Sequence, residues 1–316
     1  MNRLMLALLA WIGMSAAAHA AGMDYRLDPR PIAQDVYVFI GKTEDFNMTN
    51  GGNVVNTGFI VAPQGVVVID TGPSLRYGRQ MREAIARVTD KPVVMAINTH
   101  HHPDHFLGNQ AFADVPIATL ADVQKGIASD GNAFAENLFR ISGDWMSGTE
   151  VLVPTRTLEA GPLLIAGKRL RVLALEGHTG ADLALFDEDS GVLFAGDLVF
   201  NQRAPTTPHA DVNHWLSSLS TLDQLMAENN VKVLVPGHGP VSLDASAIRW
   251  TRDWLLWLTG SLRQAMDLGL DMNETVAQPL PTQYQSLSVA RDEYRRSVGH
   301  LFPKIEAEAL SKPPAR

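Results

Sequence analysis

Cysteine is absent from this chain of 316 residues, which excludes disulfide bonds and thiolate metal ligands. A metal site would therefore have to use imidazole and carboxylate side chains. Clusters of lysine and arginine are lacking as well, and the formal net charge is -8 at pH 7. Because binding to phosphate backbones needs concentrated positive charge, we expect no nucleic-acid partner. The hydrophobic share of 46% is ordinary for a folded protein with a sizeable core.

Apolar runs long enough to span a membrane are also missing, and the longest apolar run lies at the N-terminus. Arg3 precedes an apolar stretch at 4–14, and the small-residue pattern Ala18-His19-Ala20 follows it. The stretch is too short to span a bilayer and has the order of a cleavable signal peptide. We therefore predict a signal peptide over 1–20, export to the periplasm and no stable membrane span after cleavage. An uncleaved anchor is the alternative.

Strand-length apolar segments alternate with helical patterns along the rest of the chain. In the first half, strands are predicted at 36–40, 56–61, 65–70 and 93–98, with a helix at 74–88. In the second half, strands are predicted at 163–165, 170–175, 183–187, 192–197 and 231–235, with helices at 212–228 and 242–268. Two comparable halves of sheet and helix predict an α/β fold, a four-layer αββα sandwich, over residues 21–268.

The segment 269–316 reads as a helical C-terminal extension, whose clearest helix is at 286–301. Within the preceding helix, Trp250, Trp254 and Trp257 recur at helical spacing. We interpret them as core residues rather than as a ligand-stacking platform.

The densest polar motif in the sequence is Thr99-His100-His101-His102-Pro103-Asp104-His105, directly after the strand predicted at 93–98. Imidazoles two positions apart on extended backbone project to one side, so His100 and His102 can share a metal while His101 points away. Asp is a favoured helix N-cap, so Asp104 would begin the next helix and aim itself and His105 at a second metal. Four imidazoles crowded without a cation would repel one another when protonated.

Three later residues each follow or end a predicted strand, where α/β sheets present ligands. They are His178 in Glu-Gly-His-Thr, Asp197 in Phe-Ala-Gly-Asp and His238 in Pro-Gly-His-Gly. We predict that they join the first motif in one cleft that holds two cations.

These residues, over about 35–242, resemble the metallo-β-lactamase superfamily, whose His-x-His-x-Asp-His motif matches His100 to His105. The resemblance implies an αββα hydrolase with two Zn²⁺ ions. It implies one zinc on His100, His102 and His178 and the other on Asp104, His105 and His238. Asp197 would bridge the two ions, which is more similar to glyoxalase II-like hydrolases than to lactamases.

A narrower resemblance is to the quinoprotein relay system zinc metallohydrolase family. It rests on the signal peptide, the loop at 43–52, the C-terminal extension and the segments 98–108 and 235–241. This resemblance implies an exported quinoprotein dehydrogenase as a partner, in addition to a small-molecule substrate.

The metal pair predicts a hydrolytic mechanism. Two Zn²⁺ ions would lower the pKa of a bridging water from about 15.7 to about 7, which provides hydroxide as the nucleophile. A metal-polarised carbonyl of an ester, thioester, lactone or amide would be attacked. Asp104 either carries the proton to the leaving group, as a catalytic residue, or only ligates; both roles stay open.

Other polar residues have weaker signals. Asp70 ends a strand and could accept a hydrogen bond from a ligand imidazole, or simply form a turn. The loop at 43–52, with Phe46 and Met48, could fold over the cleft. His214 and His300 are expected to be structural or exposed. A further group follows Asp197 and could line the substrate pocket or face solvent: Arg203, Thr206, Thr207 and His209.

Alternative functions remain at this stage. Export to the periplasm is compatible with a β-lactamase. His100, His178 and Asp197 could instead form a mononuclear iron site resembling that of persulfide dioxygenases. The third alternative is a non-catalytic carrier or partner in the handling of a quinone cofactor beside a dehydrogenase.

Overall fold

The computed structural model describes residues 23–311, so the signal peptide predicted at 1–20 lies outside the described residues. The first half of the chain forms a seven-stranded sheet whose strands follow chain order. They are β1 (Arg30–Ala33), β2 (Val36–Phe39), β3 (Thr57–Ala62), β4 (Gly65–Ile69), β5 (Val93–Ile97), β6 (Ile117–Thr119) and β7 (Arg156–Thr157). Strands β1 to β4 pair antiparallel, whereas β4 to β7 pair parallel.

The second half forms a five-stranded sheet in the order β12-β11-β10-β9-β8. Its strands are β8 (Gly161–Ile165), β9 (Lys168–Leu175), β10 (Asp182–Asp187), β11 (Val192–Phe200) and β12 (Val233–His238). Neighbours pair antiparallel except β11 and β12, which run parallel. The parallel pair brings the carboxyl ends of these two strands to the same edge of the sheet.

Helices of different lengths accompany the two sheets. They are α1 (Leu75–Ala86), α2 (Pro103–Phe106), α3 (Ala121–Ser142), α4 (Val212–Glu228), α5 (Ser246–Asp267), α6 (Met272–Ala277), α7 (Thr282–Gln285) and α8 (Ala290–Ser311). Short 3-10 turns lie at Asn109–Phe112 and Gly143–Met146. Among residues 23–311, no helix has the length and apolar character needed to cross a bilayer.

Three hydrophobic clusters define the layers. One lies between the sheets and joins Ile69 and Ile97 of the first to Leu185 and Val235 of the second. A second cluster packs α1 on the outside of the first sheet. A third packs α4, α5 and α8 on the outside of the second sheet. The predicted αββα sandwich with a helical C-terminal region is therefore confirmed.

The C-terminal helices share the core of the second half. Trp254 is fully buried, and Tyr294 and Phe302 of α8 belong to the same cluster. The sequence predicted a helix at 286–301 with a proline-containing tail, and this extent was wrong. Helix α8 continues through Pro303, because Phe302 and Ile305 are anchored in the core on either side of it. The proposed domain boundary at 268 stays a prediction.

Candidate metal centre

The predicted ligands meet at one edge of the sandwich because of where the strands end. His100, His102, Asp104 and His105 lie in the loop after β5 and in α2, and His178 follows β9. Asp197 lies within β11, next to a break in its register with β12, and His238 ends β12. The structure thus brings all seven predicted side chains into one cluster, although they span nearly 140 positions of sequence.

The first group of ligand atoms belongs to His100, His102, His178 and Asp197, and all lie within 4.8 Å of one another. His102 Nδ1 is 2.8 Å from His178 Nε2. His178 Nε2 is 3.3 Å from Asp197 Oδ2. Three imidazoles and one carboxylate at these separations match the size of a metal coordination shell.

The second group belongs to Asp104, His105 and His238, whose ligand atoms also lie within 4.8 Å of one another. Asp104 Oδ2 is 3.4 Å from His238 Nε2. Asp197 touches this group as well, with Oδ1 at 3.1 Å from His105 Nε2 and Oδ2 at 3.2 Å from His238 Nε2. Asp197 is therefore the side chain placed between the two groups.

The cluster is buried, and several of its polar atoms have no partner in hydrogen-bonding geometry within the described part of the chain. These atoms are Nε2 of His100 and His105, Oδ2 of Asp104 and Oδ1 of Asp197. Unsatisfied buried polar atoms are costly, so their convergence indicates that something else satisfies them. Imidazole nitrogens and carboxylate oxygens are ligands that Zn²⁺ accepts. The residues present fit the pair of metal ions that the superfamily implies.

Hydrogen bonds on the outer sides of the rings fix their orientation. His105 donates from Nδ1 to Asp70 Oδ2 at 2.7 Å, which leaves Nε2 facing the centre. Asp70 also accepts from the backbone N–H and hydroxyl of Thr99. His238 donates from Nδ1 to the carbonyl of Val54 at 2.8 Å. The predicted role of Asp70 beside a ligand imidazole agrees with this geometry.

His102 is oriented by a contact between distant parts of the chain. Its Nδ1 faces His178, so Nε2 carries the hydrogen and donates to His209 Nδ1 at 2.9 Å. His101 points away from the centre, as predicted, and its ring lies 5.9 Å from that of Phe134 on α3. No sequence signal links position 209 to position 102.

Small residues allow the backbone to approach the centre. Gly237 lies against Asp197, and a Cβ at this position would be 1.9 Å from Asp197 Oδ1. Gly196 has a φ of +53°, which favours glycine. Asn56 holds the same corner, since its side chain donates to the carbonyls of Pro236 and Gly239. The Gly-Asp and Pro-Gly-His-Gly segments therefore serve the geometry of the site.

Burial keeps one group of imidazoles neutral. It lowers the pKa of His100 and His102 well below the usual value and that of His178 to about 3. A neutral imidazole has a lone pair available for a metal, so these rings are prepared to act as ligands.

The second group carries opposite charges in close contact. Burial lowers the pKa of His105, but Asp197, Asp70 and Asp104 together raise it well above its usual value. Burial raises the pKa of Asp197, yet His238 and His105 bring it well below the ordinary range. Burial raises the pKa of Asp104. Three carboxylates thus surround a positive charge, which a metal cation would supply in place of the proton on His105.

Asp182 supports the loop that carries His178, a role that the sequence analysis missed. It accepts hydrogen bonds from the backbone N–H and the hydroxyl of Thr179, at 3.0 and 2.9 Å. Burial raises its pKa to about 7. The signal that could have identified it is the Thr-Gly-Ala-Asp turn directly after His178.

Two details of the prediction were wrong. Asp104 is not a helix N-cap, because Pro103 takes the first position of α2 and moves the cap to His102. Thr207 does not line the cleft; it is fully buried, and its hydroxyl donates to Ser297 Oγ on α8. Arg203, Thr206 and His209 do line it. His214 and His300 are exposed, as expected.

A cleft of about 490 Å³ opens over the metal-ligand cluster. Its apolar side is formed by Phe46 of the predicted loop and by Phe134 and Ile141 of α3. Met48 of the same loop is 70% exposed and is not part of the lining. The loop at 43–52 therefore contributes to the cleft through Phe46.

The opposite side of the cleft carries paired charges. Buried Arg203 donates to Glu293 of α8 at 3.5 Å, and Arg296 donates to Glu293 at 3.2 Å. Arg296 also pairs with Asp45 of the loop. Burial raises the pKa of Glu293, and the two arginines oppose that effect. The C-terminal extension thus supplies one wall of the cleft and anchors the loop.

The profile of the Metallo-beta-lactamase superfamily matches residues 50–238, and the chain belongs to this superfamily. The chain is 25% identical over 291 residues to the linear primary-alkylsulfatase of Pseudomonas sp., covering 78% of this chain and 54% of the relative. It thus spans about half the length of that relative. It is 26% identical over 215 residues to the acyl-coenzyme A thioesterase of Homo sapiens, covering 59% of this chain and 74% of the relative.

Other relatives agree with the fold and with a hydrolase. The hydroxyacylglutathione hydrolase of Synechococcus sp. is 33% identical over 135 residues, which cover 42% of this chain and 45% of that one. A metallo-beta-lactamase from Pontibacter korlensis superposes with a TM-score of 0.59 at 24% identity, covering 73% of this chain and 99% of the neighbour. The hydrolase expectation is confirmed at the level of the superfamily. Glu293 and Arg296 lie beyond the segment that the profile matches.

Proposed function

We propose that this protein is a dinuclear zinc metallohydrolase that cleaves an ester, thioester, lactone or amide bond. The observation that carries the proposal is the division of the buried side chains into two ligand groups that share Asp197. His100, His102 and His178 would hold one zinc, and Asp104, His105 and His238 the other. The names of the relatives, which include acyl-coenzyme A thioesterases and a hydroxyacylglutathione hydrolase, support ester-like substrates.

The chemistry that two Zn²⁺ ions supply when bound is a water of lowered pKa, near 7 instead of about 15.7, and a polarised substrate carbonyl. The protein's own groups position and protect the reaction. The seven ligand residues, with Asp197 between the two groups, would define where the ions lie. Phe46 and Phe134 exclude water from one side of the cleft.

Asp104 is the residue that we assign to proton transfer. Its Oδ2 is buried without a hydrogen-bond partner among the described residues, and the residue lines the cleft. A carboxylate at this position can accept a proton from the attacking water and release it to the leaving group. A carboxylate has two oxygens, so ligation through one is compatible with proton transfer through the other.

The test compares chelator-treated protein with protein to which two equivalents of Zn²⁺ are restored. A thioester, an aryl ester, a lactone and a chromogenic cephalosporin serve as substrates. We expect zinc-dependent turnover of the thioester or the esters. Turnover of the cephalosporin alone would identify a β-lactamase instead. Iron content with oxygen uptake on a persulfide would identify a dioxygenase, and no turnover of any substrate would contradict the proposal.

We further propose export to the periplasm and action beside an exported quinoprotein dehydrogenase. The support is the N-terminal sequence pattern and the narrower family resemblance. Fractionation of cells that express the full chain should recover a mature protein that begins near Ala21. Recovery of residues 1–20 on a cytoplasmic protein would contradict this localisation.

A further inference from the structure

One side of the cleft is an open apolar surface beside the metal-ligand cluster. Phe46, Phe134 and Ile141 line the cleft and are only partly buried. Phe46 and Phe134 also pack against the core between the sheets. The ring of Phe134 lies 6.0 Å from that of His102. The apolar surface therefore begins at a metal ligand and extends along α3. Covering such an apolar surface with an apolar group lowers the free energy.

On the other side of the cleft, both arginines are already paired with carboxylates. Arg203 and Arg296 are both paired with Glu293, and Arg296 is also paired with Asp45. A substrate carboxylate at this wall would have to compete with these side chains. A neutral apolar group on the side of Phe46, Phe134 and Ile141 is therefore the occupant that the cleft favours.

We propose that the cleft binds the straight aliphatic chain of an acyl or alkyl ester. The scissile bond would lie beside His102 and Asp104, and the chain would run over Phe134 and Ile141 under Phe46. The inference rests on the proposed hydrolase function and names its substrate class. The segment of α3 that carries Phe134 and Ile141 is then the part of the fold that selects substrates.

The test measures kcat/KM of the zinc-loaded full chain for p-nitrophenyl acetate, hexanoate and dodecanoate. Each buried methylene should raise kcat/KM about threefold until the cleft is filled, or about 100-fold from acetate to hexanoate. Ile141→Ser should lower the ratio of kcat/KM for dodecanoate to kcat/KM for acetate about tenfold. Phe139→Ser is the matched control, because Phe139 lies on the same helix, is 50% exposed and does not line the cleft.

A second variant pair protects the test against loss of folding at Ile141. Phe46→Ser should reproduce the selective loss, whereas Met48→Ser on the same loop should not. Equal kcat/KM for all three esters would overturn the aliphatic site while leaving the hydrolase in place. Equal losses in Ile141→Ser and Phe139→Ser would overturn it as well.

A binding measurement separates this inference from the reaction. Isothermal titration of the zinc-loaded protein with hexanoate and dodecanoate should show tighter binding of the longer carboxylate, weakened by Ile141→Ser. If this pattern appears while every ester stays intact, the aliphatic site stands and the hydrolytic proposal fails. If neither carboxylate binds and chain length has no effect on turnover, the aliphatic site is overturned.

Discussion

The orientation of each ligand ring depends on a hydrogen bond made on its outer side. Asp70, the Val54 carbonyl and His209 accept from His105, His238 and His102, respectively. Such partners fix which nitrogen faces the metal and raise its basicity. Loss of an outer partner should therefore weaken metal binding more than it destabilises the fold.

His209→Ala should weaken zinc binding at the centre about 10- to 100-fold, because His102 would lose the acceptor that orients it. Competition with a chromophoric chelator measures the affinity. His214→Ala is the control, since His214 is exposed on α4 and lies outside the ligand groups. Equal zinc affinities of the two variants would refute the positioning role of His209.

The raised pKa of Asp182 predicts that this group stabilises the protein less as the pH rises, which is the opposite of the usual effect of a carboxylate. Its pKa rises from 3.8 to about 7 in the folded protein, so the folded state holds a proton that the unfolded state releases between about pH 4 and pH 7. The unfolding free energy contributed by this group therefore falls as pH rises through that window. Asp182→Asn removes the titration.

When the pH is raised from 5 to 7, the difference in unfolding free energy between Asp182→Asn and the wild type should shift by about 2 kcal/mol in favour of the variant. Urea denaturation of chelator-treated proteins at both pH values measures the difference without a contribution from metal binding. A difference that is independent of pH, or that changes in the opposite direction, would show that Asp182 titrates normally.

Individual ligands were predictable because their signals are local and dense. The His100 to His105 motif is contained in six positions, and His178, Asp197 and His238 each lie in or just after a recognisable strand. His209 was predicted only as a possible pocket residue, and Glu293 was not recognised at all. The hydrogen bonds of these two residues to His102 and Arg203 join positions about 90 or more apart. Sequence spacing carries no information on such contacts.

At the scale of elements, α8 and the loop at 43–52 act together. Arg203 also donates to the carbonyl of Glu44, and Ser288 donates to the carbonyl of Thr43. Arg203 and Glu293 are buried, whereas Arg296 and Asp45 are partly exposed. The buried pair is the part of this contact that stability depends on, because an exposed pair contributes little.

Glu293→Ala should lower the unfolding free energy by about 3 kcal/mol, because it leaves the Arg203 guanidinium buried without its carboxylate. Chemical denaturation measures the loss. Glu306→Ala, an exposed carboxylate on the same helix, should change the value by no more than about 0.5 kcal/mol. A loss below about 1 kcal/mol in Glu293→Ala would mean that the pair does not hold the helix.

Helix prediction failed where composition obscured the pattern. No element was assigned to the region of α3, although Val123, Ile127 and Leu138 are buried at helical spacing. Gly126 and Gly131 interrupt that pattern and lower its helical propensity. They are tolerated because Gly126 lies against His101 and Gly131 against Val151. Tertiary contacts therefore decided the conformation of this segment.

At the scale of the molecule, two sheets bring their ligand-bearing edges together across a shared core. Leu183 donates to the carbonyl of Thr99, and Asn56 donates to the carbonyl of Gly237, so hydrogen bonds connect the halves at the site itself. The alternation of strands and helices was sufficient to predict this arrangement. The sequence did not predict that the C-terminal extension forms one wall of the cleft, because no pattern in the sequence shows which face of α8 points to the cleft.

Metal stoichiometry tests the central claim most directly. Elemental analysis of the purified protein, after equilibration with zinc and removal of the excess, should find two zinc ions per chain. His238→Ala should retain one, held by His100, His102 and His178. One iron per chain in the wild type, or a single zinc that His238→Ala leaves unchanged, would contradict the account of two ligand groups that share Asp197.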